Sequence, residues 1–230
     1  MRATSEPGDG DGGPARVASQ RIADLIAERI LAGELLPGTR IIQDDLAEEL
    51  RSSRIPVREA LRILQSRGLV TLRSNHGAWV SSMDLRNWQL SYRIRERVEP
   101  LLLAESLLSL TTEDIAEIED LQGRIEAGVS VDEFLVLDRQ LHWATYRRHE
   151  ASQLTAIVTR LWDTTQHNRR AFTQLSGSRR LWTINAEHRL LIQAIKDRHV
   201  ETAESILTMH IRRTRIELSQ HPELFASPTP

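Results

Sequence analysis

The chain has 230 residues, 40% of them hydrophobic, with 30 lysines and arginines against 32 aspartates and glutamates and a net charge of −2. That composition suits one or two soluble globular domains of ~100–200 residues each. Cysteine is absent, which excludes disulfides, thiolate zinc fingers, cysteine-held iron–sulfur clusters and a cysteine nucleophile; no apolar run approaches the ~20 residues of a membrane span.

Residues 1–15 are rich in Gly, Asp and Pro and carry no hydrophobic segment. They read as a disordered arm rather than a secretory signal, so a cytoplasmic location is expected. Residues 16–82 read as helix, helix, helix and two short strands. In 16–32, Ile22, Ile26 and Ile30 recur at a helical period before Gly33. A short helix over 44–50 turns its Leu46, Ala47 and Leu50 inward, and the tight connection Arg51-Ser52-Ser53 leads to a third helix. Pro56 is tolerable only in a first turn, so that helix starts near Ser53, a candidate N-cap. It ends at Gly68, and the β-rich runs 69–72 and 78–80 flank a turn-rich connection at 73–77.

On the third helix Val57, Ala60, Leu61 and Leu64 fall on one apolar stripe, while Arg54, Arg58 and Arg62 form a cationic stripe beside it. From Arg51 to Arg73 six arginines face one acid, a local charge of +5 in a chain that is otherwise acidic. The chain's single lysine, Lys196, fits a codon bias towards arginine, which lowers the weight of arginine density alone. A short helix, a tight turn and a basic helix match helix-turn-helix geometry, in which the second helix enters the major groove. Arginine suits that task because its planar fork bonds guanine O6 and N7 together or clamps a phosphate. A solvated basic face on an ordinary helical hairpin is the competing reading. The following hairpin favours DNA, since a wing can lay Asn75, His76 and Gly77 along the backbone or minor groove.

This stretch, above all Ser53-Arg54-Ile55-Pro56-Val57-Arg58-Glu59-Ala60-Leu61, resembles the winged helix-turn-helix of GntR-type bacterial transcription regulators over residues 16–82. The resemblance implies DNA contacts at Arg54, Arg58, His76 and Gly77. Arg51 and Arg62 are added as candidates from charge and position. Two departures stand out. Asp44 occupies a place where some relatives carry a DNA-contacting arginine, and Arg51 replaces a glycine common in the turn, which strains the turn or supplies a phosphate contact.

From about residue 84 the pattern is all helical, with six helices expected over 86–109, 112–127, 131–149, 152–174, 178–197 and 200–219 and a break at Ser176-Gly177. Short loops make neighbouring helices antiparallel. Residues 83–221 thus form a helical domain, and 222–230, with three prolines, a frayed tail. The fold class is mainly α, a winged helix-turn-helix followed by an antiparallel helical bundle. Asp138, His142, His188 and His210 each lie on an apolar helix face. A lone histidine there is usually a hydrogen-bonded core residue; three with an aspartate, on separate helices, are a candidate divalent-metal site, since a buried carboxylate must be paired or coordinated. Zinc heads the list, with nickel, manganese and iron behind it.

Asp138-x3-His142, Glu187-His188 and the Met-His-Ile at 209–211 resemble the FCD effector domain of the FadR branch of that family, as does the helix at 92–107, over residues 86–220 in all. The resemblance implies a metal held by these four residues and a small organic or sugar acid as effector, in a shorter six-helix version of the domain. Leu141 departs from a frequent phenylalanine. Arg95 and Asn168 are weaker effector-binding candidates, Arg95 being equally explained by an i, i+4 pair with Glu99. Trp143, Trp162 and Trp182 are expected to be packing residues.

The combined reading is a homodimeric DNA-binding transcription regulator, not an enzyme. It acts as a repressor on a double-stranded pseudo-palindromic operator, with no membrane partner, and is released by the effector. Two alternatives compete with it: a metal-dependent hydrolase or lyase tethered to DNA, and a metal-stabilised bundle without effector. Against the first, the sequence has no HExxH, phosphate-binding glycine loop or Ser-His-Asp pattern.

Overall fold

The first helix, α1 (Pro14–Leu31), buries Ile22, Ala23, Ile26, Ala27 and Ile30 on one face. That face packs on α3 (Arg54–Ser66), which answers with Val57, Ala60, Leu61 and Leu64. A computed structural model describes residues 14–73 and 77–225, with residues 14–15 and 177–179 described by their backbone alone. It divides the chain into two compact units, residues 1–81 and 82–230.

In the first unit Gly33, at φ +80°, lets the chain reverse after α1. Helix α2 (Gln43–Glu49) contributes Leu46 and Ala47 to the core. Ser53 stands at the N-cap of α3 as expected, but its side chain makes no capping hydrogen bond. The sheet has three strands where two were expected: β1 (Arg40–Ile41), β2 (Val70–Arg73) and β3 (Gly77–Val80), in the order β1-β3-β2 and antiparallel throughout. β1 is two residues long, too short to display alternation, and exists because Arg40 and Ile41 pair with Trp79 and Ala78.

The second unit holds α4 (Leu85–Leu107), α5 (Thr112–Glu126), α6 (Val131–Thr145), α7 (Ser152–Lys196) and α8 (Val200–Leu218). Side chains of Asp84, Thr111 and Ser130 cap α4, α5 and α6. One contiguous core, with Trp88, Leu103, Leu137, Trp162 and Leu207 among its buried members, fills the space between the helices.

The expected break at Ser176-Gly177 does not interrupt the helical backbone: α7 is one run of 45 residues, so five helices stand among the described residues where six were expected. The run is nevertheless sharply bent. The rings of Trp162 and His188 lie 5.3 and 5.4 Å from the ring of His142, yet 26 positions of straight helix span about 39 Å. Arg169 and His188 also reach the same Asp138 carboxylate, which brackets the bend between them. Ser176-Gly177 lies there, and Ser/Gly pairs are a usual cause of kinks. Thr173 and Ser176 donate side-chain hydrogen bonds back to the carbonyls of Arg169 and Phe172, a pattern that bends helices.

Residues 222–225, expected as part of a frayed tail, are ordered, and 226–230 lie outside the described residues. A 3₁₀ turn, Pro222–Leu224, follows α8, and Phe225 packs edge-on to Trp88 at 5.3 Å. No helix among the described residues is long and apolar enough to cross a membrane.

Candidate functional site

The basic face of α3 is exposed, and its arginines are held by carboxylates. Arg54, 76% exposed, places Nε 2.7 Å from Asp44 of α2. Arg62 lies 2.9 Å and Arg58 3.8 Å from Glu59. Exposed pairs of this kind are worth ~1 kcal/mol or less, so these guanidiniums are readily given over to another anion. Arg51 is exposed in the turn at φ +48°, a left-handed conformation that costs a non-glycine residue of order 1–3 kcal/mol. In the wing, His76 lies outside the described residues. Gly77 opens β3 at φ +86°, where a Cβ would meet Arg40 Nε at 3.7 Å. Arg40 and Arg73 flank Trp79, their guanidinium carbons 6.0 and 5.5 Å from its ring. Arg40 was not foreseen as part of this face, because it precedes the motif and reaches the wing only through the unforeseen β1.

In the second unit α6, α7 and α8 bring His142, His188 and His210 together. Their ring centroids are 5.0–5.4 Å apart, and one ligand nitrogen from each lies within 4.8 Å of the others. Each ring is oriented through Nδ1. That of His188 donates to Gln122 Oε1 at 2.8 Å, that of His210 to Glu187 Oε2 at 2.8 Å, and that of His142 faces the Tyr146 hydroxyl at 3.4 Å. Because a carboxylate and an amide oxygen only accept, His188 and His210 carry their proton on Nδ1 and leave Nε2 with a lone pair. Nε2 of His188 is buried without a hydrogen-bond partner. Burial pushes the His188 imidazole down to about 4 and holds His142 well below the ordinary histidine value. Neutral imidazoles with an orphaned nitrogen fit a divalent borderline metal ion.

Asp138, expected as a fourth ligand, stands beside this triad. Its Oδ1 lies 3.6 Å from His188 Nε2, while Oδ2 is ion-paired with Arg169. Burial alone would raise the Asp138 carboxyl, but Arg169, followed by the histidines, holds it well below the usual range. Arg169 gave no signal in the sequence, since an arginine on a half-buried helix face looks like a solvated one.

Arg95 is buried on the cavity wall between the rings of Tyr92 and Trp162, at 4.6 and 4.4 Å. Its guanidinium pairs with Glu99, which also accepts from Tyr146 Oη at 3.1 Å and Trp162 Nε1 at 3.0 Å. Burial opposes the Arg95 charge, but Glu99 together with Tyr92 and Tyr146 outweighs it and raises the pKa. Asn168 does not line the cavity. Its amide donates to the Leu224 carbonyl at 2.9 Å and fastens the 3₁₀ turn, which corrects its assignment as an effector contact. Trp162 is buried and Trp143 packs against the core, but Trp182 is 74% exposed and is not a packing residue.

A winged head with an exposed arginine face and a helical unit with a donor-lined cavity define a DNA-binding transcription regulator. The model of the FCD domain matches residues 90–213, and that of bacterial regulatory proteins of the gntR family matches residues 18–80. The chain belongs to the GntR family, in its FadR-type branch with an FCD domain. It is 28% identical to the HTH-type transcriptional regulator McbR of Escherichia coli, over 62% of this chain and 66% of that protein. It is 26% identical to the Exu regulon transcriptional regulator of Escherichia coli, over 89% and 85%. Among solved structures, E. coli McbR/YncC superposes with a TM-score of 0.77 at 24% identity, covering 89% of this chain and 98% of that one. A GntR family member from Pseudomonas syringae pv. tomato gives 0.55 at 24%, covering 92% and 88%. The family and these relatives are regulators of transcription, not enzymes.

Proposed function

We propose that this regulator is a homodimeric repressor that leaves a pseudo-palindromic operator when a small carboxylate binds at a metal held by His142, His188 and His210, with Asp138 beside them. One observation carries this reading: three buried imidazoles, two held in one tautomer by Glu187 and Gln122, stand within ligand distance of one another, and two of them, His142 and His210, line a cavity that Arg95 also lines. Such a donor set suits zinc first, then nickel, manganese or iron. When bound, the ion supplies a Lewis-acidic site for a carboxylate oxygen. Arg95 provides positive charge to the same cavity, and Glu99 fixes its direction.

On DNA, Arg54 and Arg58 are assigned to base or phosphate contacts, with Arg51, Arg62, His76 and Gly77 supporting them at the turn, along the helix and in the wing. Dimerisation is supported by an apolar stripe exposed along α4, Leu90, Ile94 and Leu101, continued by Leu108 at its C-cap, with Met209 and Ile216 exposed on α8. The effector shifts the DNA-binding equilibrium only by its difference in affinity for the two states.

The test is metal stoichiometry together with effector-induced operator release, in the wild type and in His188→Ala. The wild type is expected to hold one divalent ion per chain and to leave the operator when small carboxylates are added. The variant should lose metal at least tenfold more readily, stop responding, and still bind operator. A variant that keeps stoichiometric metal and a normal response refutes the site.

A further inference from the structure

The cavity at the histidines is narrow. Its free space takes little more than about one or two water molecules, so an ion and the oxygens bound to it fill it. A second chamber adjoins it, with Phe134, Thr173, Arg180 and Ile184 as a common wall. This chamber has about 200 Å³ of free space against about 20 Å³ at the histidines, and part of it is open to solvent. Among the described residues, Val129, Val131 and Leu181 make up most of the remaining lining, with Gln174 and Ser176 as its other polar groups.

Arg180 stands at the junction with its charge only loosely matched. Its side chain is 10% exposed. Nη2 donates to Thr214 Oγ1 at 3.3 Å, and the guanidinium lies over the Phe172 ring at 4.2 Å. Nε approaches Glu217 at 3.3 Å but is buried without a hydrogen bond. Burial pushes this arginine down to about 10. Arg95 and Arg169 instead have the buried carboxylates of Glu99 and Asp138 against them.

We propose that the effector is a monocarboxylate with a compact apolar tail, its carboxylate held between the histidines and Arg180 and its tail in the second chamber. The inference rests on the reading of this cavity as an effector site. A sugar acid or dicarboxylate of similar size would set hydroxyls or a second charge against Val131, Leu181 and Ile184, where, among the described residues, Thr173, Gln174 and Ser176 are too few to satisfy them.

Calorimetric titration of the full-length protein with acetate, hexanoate, malate and gluconate tests it. Acetate needs only the narrow cavity, while hexanoate also needs the chamber. Each buried methylene is worth about fourfold in affinity, so hexanoate should bind at least tenfold tighter than acetate and tighter than malate or gluconate. Val131→Trp, which fills the chamber, should bring the hexanoate-to-acetate ratio towards one, and Arg180→Gln should weaken both acids. Hexanoate binding no tighter than acetate, or weaker than malate or gluconate, overturns the proposal and leaves the effector site standing. If none of the four acids binds protein that retains its metal, the effector reading fails and this inference with it. The wild-type series decides the matter even if Val131→Trp melts early.

Discussion

Replacing Glu99 by alanine should destabilise the second unit more than any single change on its surface. Glu99 is fully buried and serves three partners: the Arg95 guanidinium, the Tyr146 hydroxyl and the Trp162 indole N–H. Glu99→Ala leaves a buried guanidinium without its counter-ion, which costs about 3–5 kcal/mol. Two further donors lose their acceptor, at about 1 kcal/mol or more each. The total, upwards of ~5 kcal/mol, is comparable with the whole stability of many domains. At ~2–4 °C per kcal/mol for a unit of this size, the melting temperature should fall by ~10–20 °C or the unit should not fold. Tryptophan fluorescence is a suitable probe, since four of the five tryptophans lie within residues 82–230. Arg95→Met with Glu99→Met removes both charges and should recover most of the loss, because apolar residues of similar volume often replace a buried ion pair at little cost. A melt of Glu99→Ala within ~3 °C of the wild type would refute the idea that this carboxylate neutralises a buried cation.

Three further outcomes are expected. In chelator-treated protein, folded His142 and His188 titrate below the ordinary 6.5 and the unfolded chain takes up protons first, so stability present above pH 6.5 is lost as pH falls towards 4; the His188 drop to about 4 alone is worth roughly 3 kcal/mol. Melting temperatures that stay flat from pH 7 to 4.5 would contradict this. Arg58→Ala should leave the melt unchanged and weaken operator binding, by about 1–3 kcal/mol with relaxed specificity for a base contact, or uniformly with a salt slope lower by about one for a phosphate contact; unchanged binding across salt concentrations removes Arg58 from the interface. Leu101→Glu places a charge in the exposed α4 stripe and should turn a dimer into a monomer in sedimentation; a dimer that persists moves the interface elsewhere.

The parts of the molecule legible in the sequence are those where burial and polarity alternate strongly. The α3 stripe of Val57, Ala60, Leu61 and Leu64 is readable because its opposite face is arginine, and all four residues are buried. The histidines were readable for a related reason: a polar residue on an apolar face contradicts its surroundings. Their supports were not. Gln122, Tyr146 and Arg169 lie on faces of mixed character, where nothing in the spacing separates a buried hydrogen-bonding residue from a solvated one. Asn168 stood out correctly as a buried polar group, but its partner, the Leu224 carbonyl, lies 56 positions away, beyond any periodic signal. At Ser176-Gly177 the residues carried the right warning and the wrong consequence, since a small-residue pair can redirect a helix without unwinding it.

That bend gives the cavity unusual mechanics. Trp162 and Arg169 stand on one arm of α7 and Arg180 on the other, all three lining the same space, with His188 of the second arm set against the Asp138 carboxylate at its edge. The gap between these groups is therefore set largely by one angle within a single covalent element, not by the docking of two independent helices. The arm from Gly177 to Lys196 is about 29 Å long, and the part of it as far as His188 is about 17 Å. A change of about 10° at the bend would then move His188 by about 3 Å and the end of the arm by about 5 Å. Leverage of this kind enlarges a small adjustment at the histidines as it travels outward along the helix.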